Sequence, residues 1–115
     1  MARSSRLESG FQDRLIGKLK ERFPYCLIFK FDRQGFPDLL VLYRDKWAAL
    51  ECKRYRSAHR QPNQEYWVSV MNTMSFAAFV YPENLEEVLR ELDCFFEDVC
   101  VYADGERFYP EGGHL

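Results

Sequence analysis

The sequence from Gly35 to Lys53 reads GFPDLLVLYRDKWAALECK and contains two short apolar runs separated by the polar pair Arg44-Asp45. Runs of this length and composition are typical of β-strands, and a two-residue or four-residue loop at the polar pair would join them as an antiparallel hairpin. Both faces of this hairpin carry apolar side chains. We therefore expect a sheet that is covered on both faces.

The register of this hairpin brings two acidic residues together. With either loop Tyr43 lies opposite Lys46, and the pairing continues outward until Asp38 lies opposite Glu51. Directly opposed residues share a face of the sheet, with Cβ atoms about 4.5–5.5 Å apart. Two carboxylates that close repel each other unless a cation lies between them, and such oxygen ligands suit Mg²⁺ or Mn²⁺. A three-residue loop would shift the register by one residue and separate the two acids.

A lysine joins this acidic pair. Lys53 follows Glu51 by two residues, so the strand period places both on one face while Cys52 points to the other. An ammonium group here can orient or deprotonate an attacking water, or stabilise the charge of a phosphate in the transition state. The three side chains therefore predict a nuclease site that uses one divalent metal ion.

The order of these residues along the chain resembles a known signature. Pro37-Asp38 followed by Glu51-x-Lys53 resembles the PD-(D/E)xK nuclease superfamily. Glu-x-Lys alone recurs by chance, but the fuller set is more specific: Glu8, Asp38, Glu51, Lys53 and Gln64, with Gln12 one turn after Glu8. Over residues 7–82 this set is most similar to the small virus-type replication-repair nucleases (VRR-NUC) and to archaeal-type Holliday junction resolvases.

The resemblance implies a restriction-endonuclease-like α/β core in the order α-β-β-β-α-β, with a mixed central sheet flanked by helices. It also implies hydrolysis of DNA phosphodiesters with Mg²⁺ or Mn²⁺, often by a homodimer that acts on branched DNA such as a Holliday junction. The metal ligands would be Asp38, Glu51, the backbone carbonyl of Cys52 and Glu8, the last directly or through water. Lys53 would position the hydroxide.

Two of these residues also have simpler interpretations. Glu8 could be a first-turn acid favoured by the helix dipole. Gln64 begins a second helix and would hydrogen-bond a catalytic carboxylate, the Lys53 ammonium or a phosphate, but it could equally make a structural hydrogen bond to the backbone.

Composition indicates one globular domain. The chain has 115 residues, of which 47% are apolar, so a disordered chain is excluded. It shows no apolar signal region and no membrane span, which favours a cytoplasmic or otherwise intracellular protein, and its size suits a virus-encoded one. Four cysteines without C-x-x-C spacing argue against structural zinc, and we expect them to be small buried apolar residues in a reducing compartment.

The net charge of −2 conceals a division along the chain. Residues 1–81 contain 14 Lys and Arg against 8 Asp and Glu, whereas residues 82–115 contain 2 against 10. Local positive potential attracts phosphates, and the basic part coincides with the part that carries the motif. The residues expected to contact DNA are Arg54, Arg56, Arg60 and Lys46. For Arg54 and Arg56 the alternative is a solvated basic loop.

The remaining pattern predicts alternating helices and strands. The expected elements are a helix over 7–22, a strand over 25–31, the hairpin, a helix from Pro62, a strand over 75–81, a helix from residue 82 and a terminal hairpin at Asp104-Gly105. The core thus spans 7–82, with the C-terminal helix and hairpin over 83–110. Aromatic residues near the C-terminus could form a dimer interface or cap the monomer core: Phe95, Phe96, Tyr102, Phe108 and Tyr109.

Two other functions are compatible with these residues. A nuclease fold that binds DNA or a protein partner without cutting is one, although a lapsed site has no physical reason to keep two carboxylates facing each other. An RNase with the same metal chemistry is the other, because nothing in the sequence reports on the 2′-hydroxyl.

Overall fold

The computed structural model describes the backbone of residues 4–33, 35–60, 62–98, 100–101 and 107–108, and the side chains of residues 10–33, 35–60 and 62–98. The elements along the chain are α1 (Ser4–Arg22), β1 (Leu27–Lys30), β2 (Leu39–Tyr43), β3 (Lys46–Cys52), α2 (Pro62–Met74), β4 (Phe76–Val80), α3 (Leu85–Glu97), β5 (Cys100–Val101) and β6 (Arg107–Phe108). A single 3₁₀ turn, Pro82–Asn84, precedes α3.

The first four strands form one mixed sheet in the order β1-β2-β3-β4. β2 is antiparallel to both β1 and β3, and β4 pairs in parallel with β3 after the crossover through α2. This α/β architecture confirms the predicted order of elements and the helix that follows it. β5 and β6 pair as a short antiparallel ribbon, while its expected turn at Asp104-Gly105 lies outside the described residues.

The register of the central hairpin is the predicted one. Tyr43 pairs with Lys46 and Leu39 with Leu50, so the next position along the two strands places Asp38 opposite Glu51. The turn is the two-residue type, with Arg44 in the left-handed conformation at φ 59°. A hydrogen bond of 2.8 Å from the Phe31 amide to the Asp38 carbonyl extends the pairing of β1 with β2 to the same level.

One face of the sheet is covered by α1 and α3. Side chains at every fourth position of α1 and the residue just after it are buried there, as the amphipathic pattern predicts: Phe11, Leu15, Leu19 and Phe23. The buried side of α3, which includes Leu89 and Leu92, completes this core. Fully burying one such leucine contributes about 1.5–3 kcal/mol relative to leaving it exposed, so this face supplies most of the fold's stability.

The other face is covered unevenly. α2 packs on β3 and β4, where the small side chains of Ala49 and Ala77 lie side by side and let the helix approach closely. At the edge strand β1, Leu27, Phe29 and Phe31 point to this face and remain exposed. The expectation of a sheet covered on both faces is therefore right for β3 and β4 and wrong for β1, because α2 packs on β3 and β4 and one helix, about 10–12 Å across, covers only about two strands.

The cysteines differ from expectation at one position. Cys26 and Cys52 are free thiols, and Cys52 is buried in the main core as predicted. Cys94 is disulfide-bonded, so the expectation that all four cysteines are unbridged apolar residues is wrong there. Sequence spacing alone does not reveal a disulfide, because a bridge depends on how close the fold brings the two cysteines. None of the helices in the described part of the chain has the length and apolarity needed to cross a bilayer.

Candidate active site

Asp38 and Glu51 lie side by side where the central hairpin leaves the sheet. Glu51 is the penultimate residue of β3 and only 3% exposed, whereas Asp38 precedes β2 and is half-buried. The Cys52 amide donates a hydrogen bond of 2.9 Å to Oδ2 of Asp38, which fixes that carboxylate against the end of β3. The predicted neighbourhood of the two acids is therefore present, and it follows from strand register.

Lys53 is buried beside Glu51. Its side chain follows the end of β3 and is 7% exposed, and its Nζ lies 3.6 Å from Oε2 of Glu51. The ammonium also donates hydrogen bonds of 2.9 Å to Oε1 of Gln64 and 3.1 Å to the carbonyl of His59. An ammonium group this buried needs such partners, because an unpaired buried charge costs several kcal/mol.

Gln64 hydrogen-bonds both Glu51 and Lys53. It lies in the first turn of α2, and its Nε2 donates a hydrogen bond of 2.7 Å to Oε2 of Glu51 while its Oε1 accepts from Lys53. The amide group thus presents its donor to the carboxylate and its acceptor to the ammonium. Of the roles considered from sequence, the contacts with the carboxylate and the ammonium are the ones that the structure contains.

The turn before Asp38 is fixed to α2 through a glycine. Gly35 has φ +83°, and a Cβ at this position would overlap the side chain of Asn63, the neighbour of Gln64. The turn and the start of α2 are therefore in contact. This contact helps to determine the position of Asp38 relative to Gln64. Sequence reasoning missed this contact and the His59 carbonyl, although a glycine three residues before the acid is an ordinary signal for a tight turn.

Three arginines follow Lys53 in the loop that leads to α2. The guanidinium of Arg60 lies 3.9 Å from the centre of the Phe79 ring, and that of Arg56 lies 5.6 Å from the centre of the Tyr81 ring. Arg54 lies in the same way over Tyr55. Among the ion pairs of the described residues none involves these three arginines. Their charges remain available to an anionic ligand.

Lys46, expected to contact DNA, lies elsewhere. It begins β3, five residues before Glu51, which places it about 16 Å from the acidic pair along an extended strand. Its Nζ donates hydrogen bonds of 2.7 Å to the Phe95 carbonyl and 3.0 Å to Asp98, at the C-terminal end of α3. A cation is favourable at that end of a helix, so Lys46 has a structural role that its sequence neighbours did not indicate.

Glu8 is a predicted metal ligand. Its backbone belongs to α1, but its side chain lies outside the described residues. Gln12, one turn later, is half-buried on the same helix. The described part of α1 packs on the face of the sheet opposite to α2.

The oxygen atoms at this site match the preferences of Mg²⁺ or Mn²⁺ only in part. Two carboxylates and the Cys52 carbonyl are hard ligands, and Mg²⁺ ordinarily keeps several water molecules when few protein ligands are present. Asp38 and Gln64 also line an open cleft of about 350 Å³ through which water and a phosphate can reach them. Within the described residues, however, no group of three His, Cys, Asp or Glu side chains is placed to hold a metal ion.

Comparison with known proteins adds no relative to this description: no family model matches the chain, and neither a curated protein nor a solved structure matches it significantly.

Proposed function

We propose that this protein is a divalent-metal-dependent DNA endonuclease. The proposal depends above all on one observation: Glu51, Lys53 and Gln64 form a buried hydrogen-bonded network beside a second carboxylate. Burying an ion pair gives little net stability compared with apolar side chains. A buried carboxylate and ammonium joined to Gln64, which itself lines an open cleft with Asp38, therefore suggest chemistry rather than structure.

Each side chain has a distinct role in this proposal. Asp38, Glu51 and the Cys52 carbonyl would hold the cation, which would lower the pKa of water and neutralise charge that develops on the phosphate. Lys53 would orient the attacking hydroxide opposite the P–O3′ bond. The hydroxide oxygen bonds to phosphorus as that bond breaks, which leaves a 5′-phosphate and, after O3′ takes a proton from water, a 3′-hydroxyl. Gln64 holds the Lys53 and Glu51 side chains in place relative to each other, because it hydrogen-bonds both.

Arg54, Arg56 and Arg60 bind the DNA backbone in this proposal. They follow Lys53 directly in sequence and two of them lie over rings at the site end of β4. A protein that neutralises Z phosphates loses affinity with salt at a slope of about −0.9Z, so removal of any one of the three lowers the slope by about one. Lys46 is left out of this set because of its distance and its contacts with α3.

Action on a branched substrate would require a homodimer, since two symmetric cuts need two active sites related by a two-fold axis. Of the aromatic residues first considered for the interface, Phe96 is buried in the monomer core and Phe95 packs against it. The side chains of Tyr102, Phe108 and Tyr109 lie outside the described residues. The exposed outer part of β1, Leu27 and Phe29, offers the better surface for self-association.

The test is an incubation of the purified chain with plasmid, single-stranded and junction DNA, each with Mn²⁺, Mg²⁺ or EDTA. We expect products with either metal, none with EDTA, and none from an Asp38→Asn/Glu51→Gln variant that melts cooperatively. Full cleavage by that variant would eliminate the site. Binding that persists in EDTA with no products under any metal would instead favour a non-catalytic binding module, and cleavage of RNA alone would favour an RNase.

A further inference from the structure

The cleft beside the acidic pair is partly aromatic. The residues that line its 350 Å³ include Phe31 and Phe36 together with Asp38 and Gln64 of the candidate site. Phe31 continues the line of β1, and Phe36 lies in the turn that precedes Asp38. The cleft therefore joins directly onto the place where hydrolysis is proposed.

The two phenylalanines begin a continuous band of rings. Phe31 and Phe36 have their ring centres 5.5 Å apart, Phe36 and Trp67 5.7 Å, and Trp67 and Tyr66 5.5 Å. All three contacts are edge-on, with interplanar angles of 81°, 63° and 75°. Phe31 is 38% exposed and Trp67 37%, so these rings present surface to solvent that a monomer would ordinarily bury.

Edge-on packing matters for what such rings can bind. In an edge-to-face pair one ring contributes only its rim, so its flat face is not used by the partner. A nucleobase is a flat ring that stacks on such faces regardless of its sequence. In a duplex both faces of every base are already stacked, so only an unpaired or extruded base can occupy the cleft.

We propose that this cleft binds an unpaired nucleobase of the DNA strand next to the phosphate that the site cleaves, an inference that rests on the proposed nuclease function. The substrate class would then be DNA with at least one unpaired nucleotide at the cutting position, as at a fork, gap or branch. The band from Phe31 to Tyr66 continues the stacking surface away from the acids.

The charged residues of the cleft favour this ligand over a second copy of the chain. Asp32 and Arg33 line the same cleft, whereas the centres of protein interfaces are depleted in charged residues. The described lining carries one positive charge on Arg33 and two negative charges on Asp32 and Asp38, a net of −1. A bound divalent cation changes this to +1, so binding of a nucleotide here depends on the cation.

The experiment places 2-aminopurine, whose fluorescence falls when it stacks, at an unpaired position of a forked oligonucleotide. The full-length chain is titrated in Ca²⁺, used as the probe cation, and in EDTA, with a fully paired duplex of the same sequence as reference. We expect quenching and at least 10-fold tighter binding for the fork in Ca²⁺ only. Equal affinity for fork and duplex, or unchanged fluorescence, would overturn the inference.

Variants of Phe31 separate stacking from packing. Phe31→Leu keeps an apolar side chain but removes the ring, so we expect affinity for the fork to fall about 5- to 100-fold, while Phe31→Tyr restores it. The matched control is Tyr25→Leu, an aromatic residue that is 99% exposed and precedes the opposite end of β1. If Phe31→Leu binds like the parent, or if it changes the sedimentation coefficient but not the quenching, the surface is not a base-binding site.

The two proposals can fail separately. Phe31-dependent quenching without cleavage under any metal would retain the base-binding cleft and remove the nuclease. Metal-dependent cleavage that is equal on fork and duplex, and equal for the parent and Phe31→Leu, would retain the nuclease and remove the base-binding cleft.

Discussion

The two ends of the central hairpin use charged residues in opposite ways. At the turn end, Tyr43 and Arg44 both bind the Glu97 carboxylate, at 2.8 and 2.9 Å, and Lys46 binds Asp98. These partners lie at the C-terminal end of α3, and each acid there accepts a hydrogen bond from the hairpin. At the other end, Asp38 and Glu51 come from the same hairpin and stand opposite each other, and Lys53 lies 3.6 Å from Glu51.

The difference shows which end is built for stability. The contacts at the turn end join the hairpin to α3, and each brings together groups that attract. The acidic end places two like charges opposite each other, one of them buried, and a cation held by both carboxylates would add to the attraction that Lys53 supplies to Glu51. We therefore expect that changes at the turn end alter the free energy of unfolding, and that changes at the acidic end alter catalysis and metal binding.

The largest effect is expected from Asp38→Asn. The amide oxygen can still accept the hydrogen bond from Cys52, so the fold is retained, but a charged ligand is lost. Loss of one catalytic group commonly lowers rates by about 10²–10⁴-fold, and we expect cleavage of DNA to fall to about 1% or less. Single-turnover rates with Mn²⁺ measure this change.

The matched control for that variant is Asp45→Asn, which changes an exposed acid in the turn of the same hairpin. Its rate should equal that of the parent protein. A rate reduced as strongly as in Asp38→Asn would mean that general loss of negative charge, rather than the position opposite Glu51, determines activity.

Metal binding is expected to stabilise the folded state by the second largest amount. At 100 times its dissociation constant, a cation that binds only the native state adds about 2.7 kcal/mol, which raises the melting temperature by about 10 °C in a domain of this size. In Asp38→Asn that rise should largely disappear, while melting in EDTA should occur at or above the temperature of the parent because the repulsion is relieved. Calorimetry with Mn²⁺ and with EDTA compares the two proteins, and an equal rise in both would contradict a metal at Asp38.

The register that places the acids together could be predicted from sequence because it depends on local facts. The side-chain period of a strand is two, and a two-residue turn at Arg44-Asp45 leaves no freedom in the pairing up to Asp38 and Glu51. The position of Gln64 on the inner side of α2 followed equally from helical spacing to Val68, which is buried.

What the sequence did not reveal depends on contacts between elements that are far apart in the chain. Lys46 belongs to a basic segment, yet its partner Asp98 is 52 residues away, and only the path of α3 brings the two together. The exposed face of β1 likewise results from how far α2 extends over the sheet. The aromatic cleft escaped notice because Phe31 and Trp67 read as ordinary strand and helix residues until the fold joins them through Phe36.

A smaller effect is expected at Gly35, which belongs to the acidic end. Gly35→Ala requires an L-residue at φ +83° and a methyl group where Asn63 lies, so we expect a loss of about 1–3 kcal/mol in the free energy of unfolding. Because the turn also sets Asp38 against Gln64, cleavage should fall in the folded variant. Urea denaturation measures the first change. Gly17→Ala, at an exposed helical position with open space around it, is the control that should leave cleavage unchanged.

The smallest effect is expected at the turn end, from Tyr43→Phe. The hydrogen bond to Glu97, and then burial, raise the pKa of Tyr43 above its usual value of 10. Folding therefore favours the protonated phenol. This contribution is complete below about pH 10, the value of an unfolded tyrosine, and is lost as pH rises through the higher folded pKa.

We expect Tyr43→Phe to cost about 1 kcal/mol at neutral pH without changing cleavage, and the gap between the two proteins to close above pH 10. Melting temperatures from pH 7 to 11 measure that gap, with Tyr25→Phe as an exposed control. Equal melting temperatures for the two proteins at neutral pH would mean that Tyr43 stabilises the turn end through its ring contacts with Phe23 and Phe96, which Tyr43→Phe retains, rather than through Glu97. A loss of cleavage would place catalytic function at both ends of the hairpin.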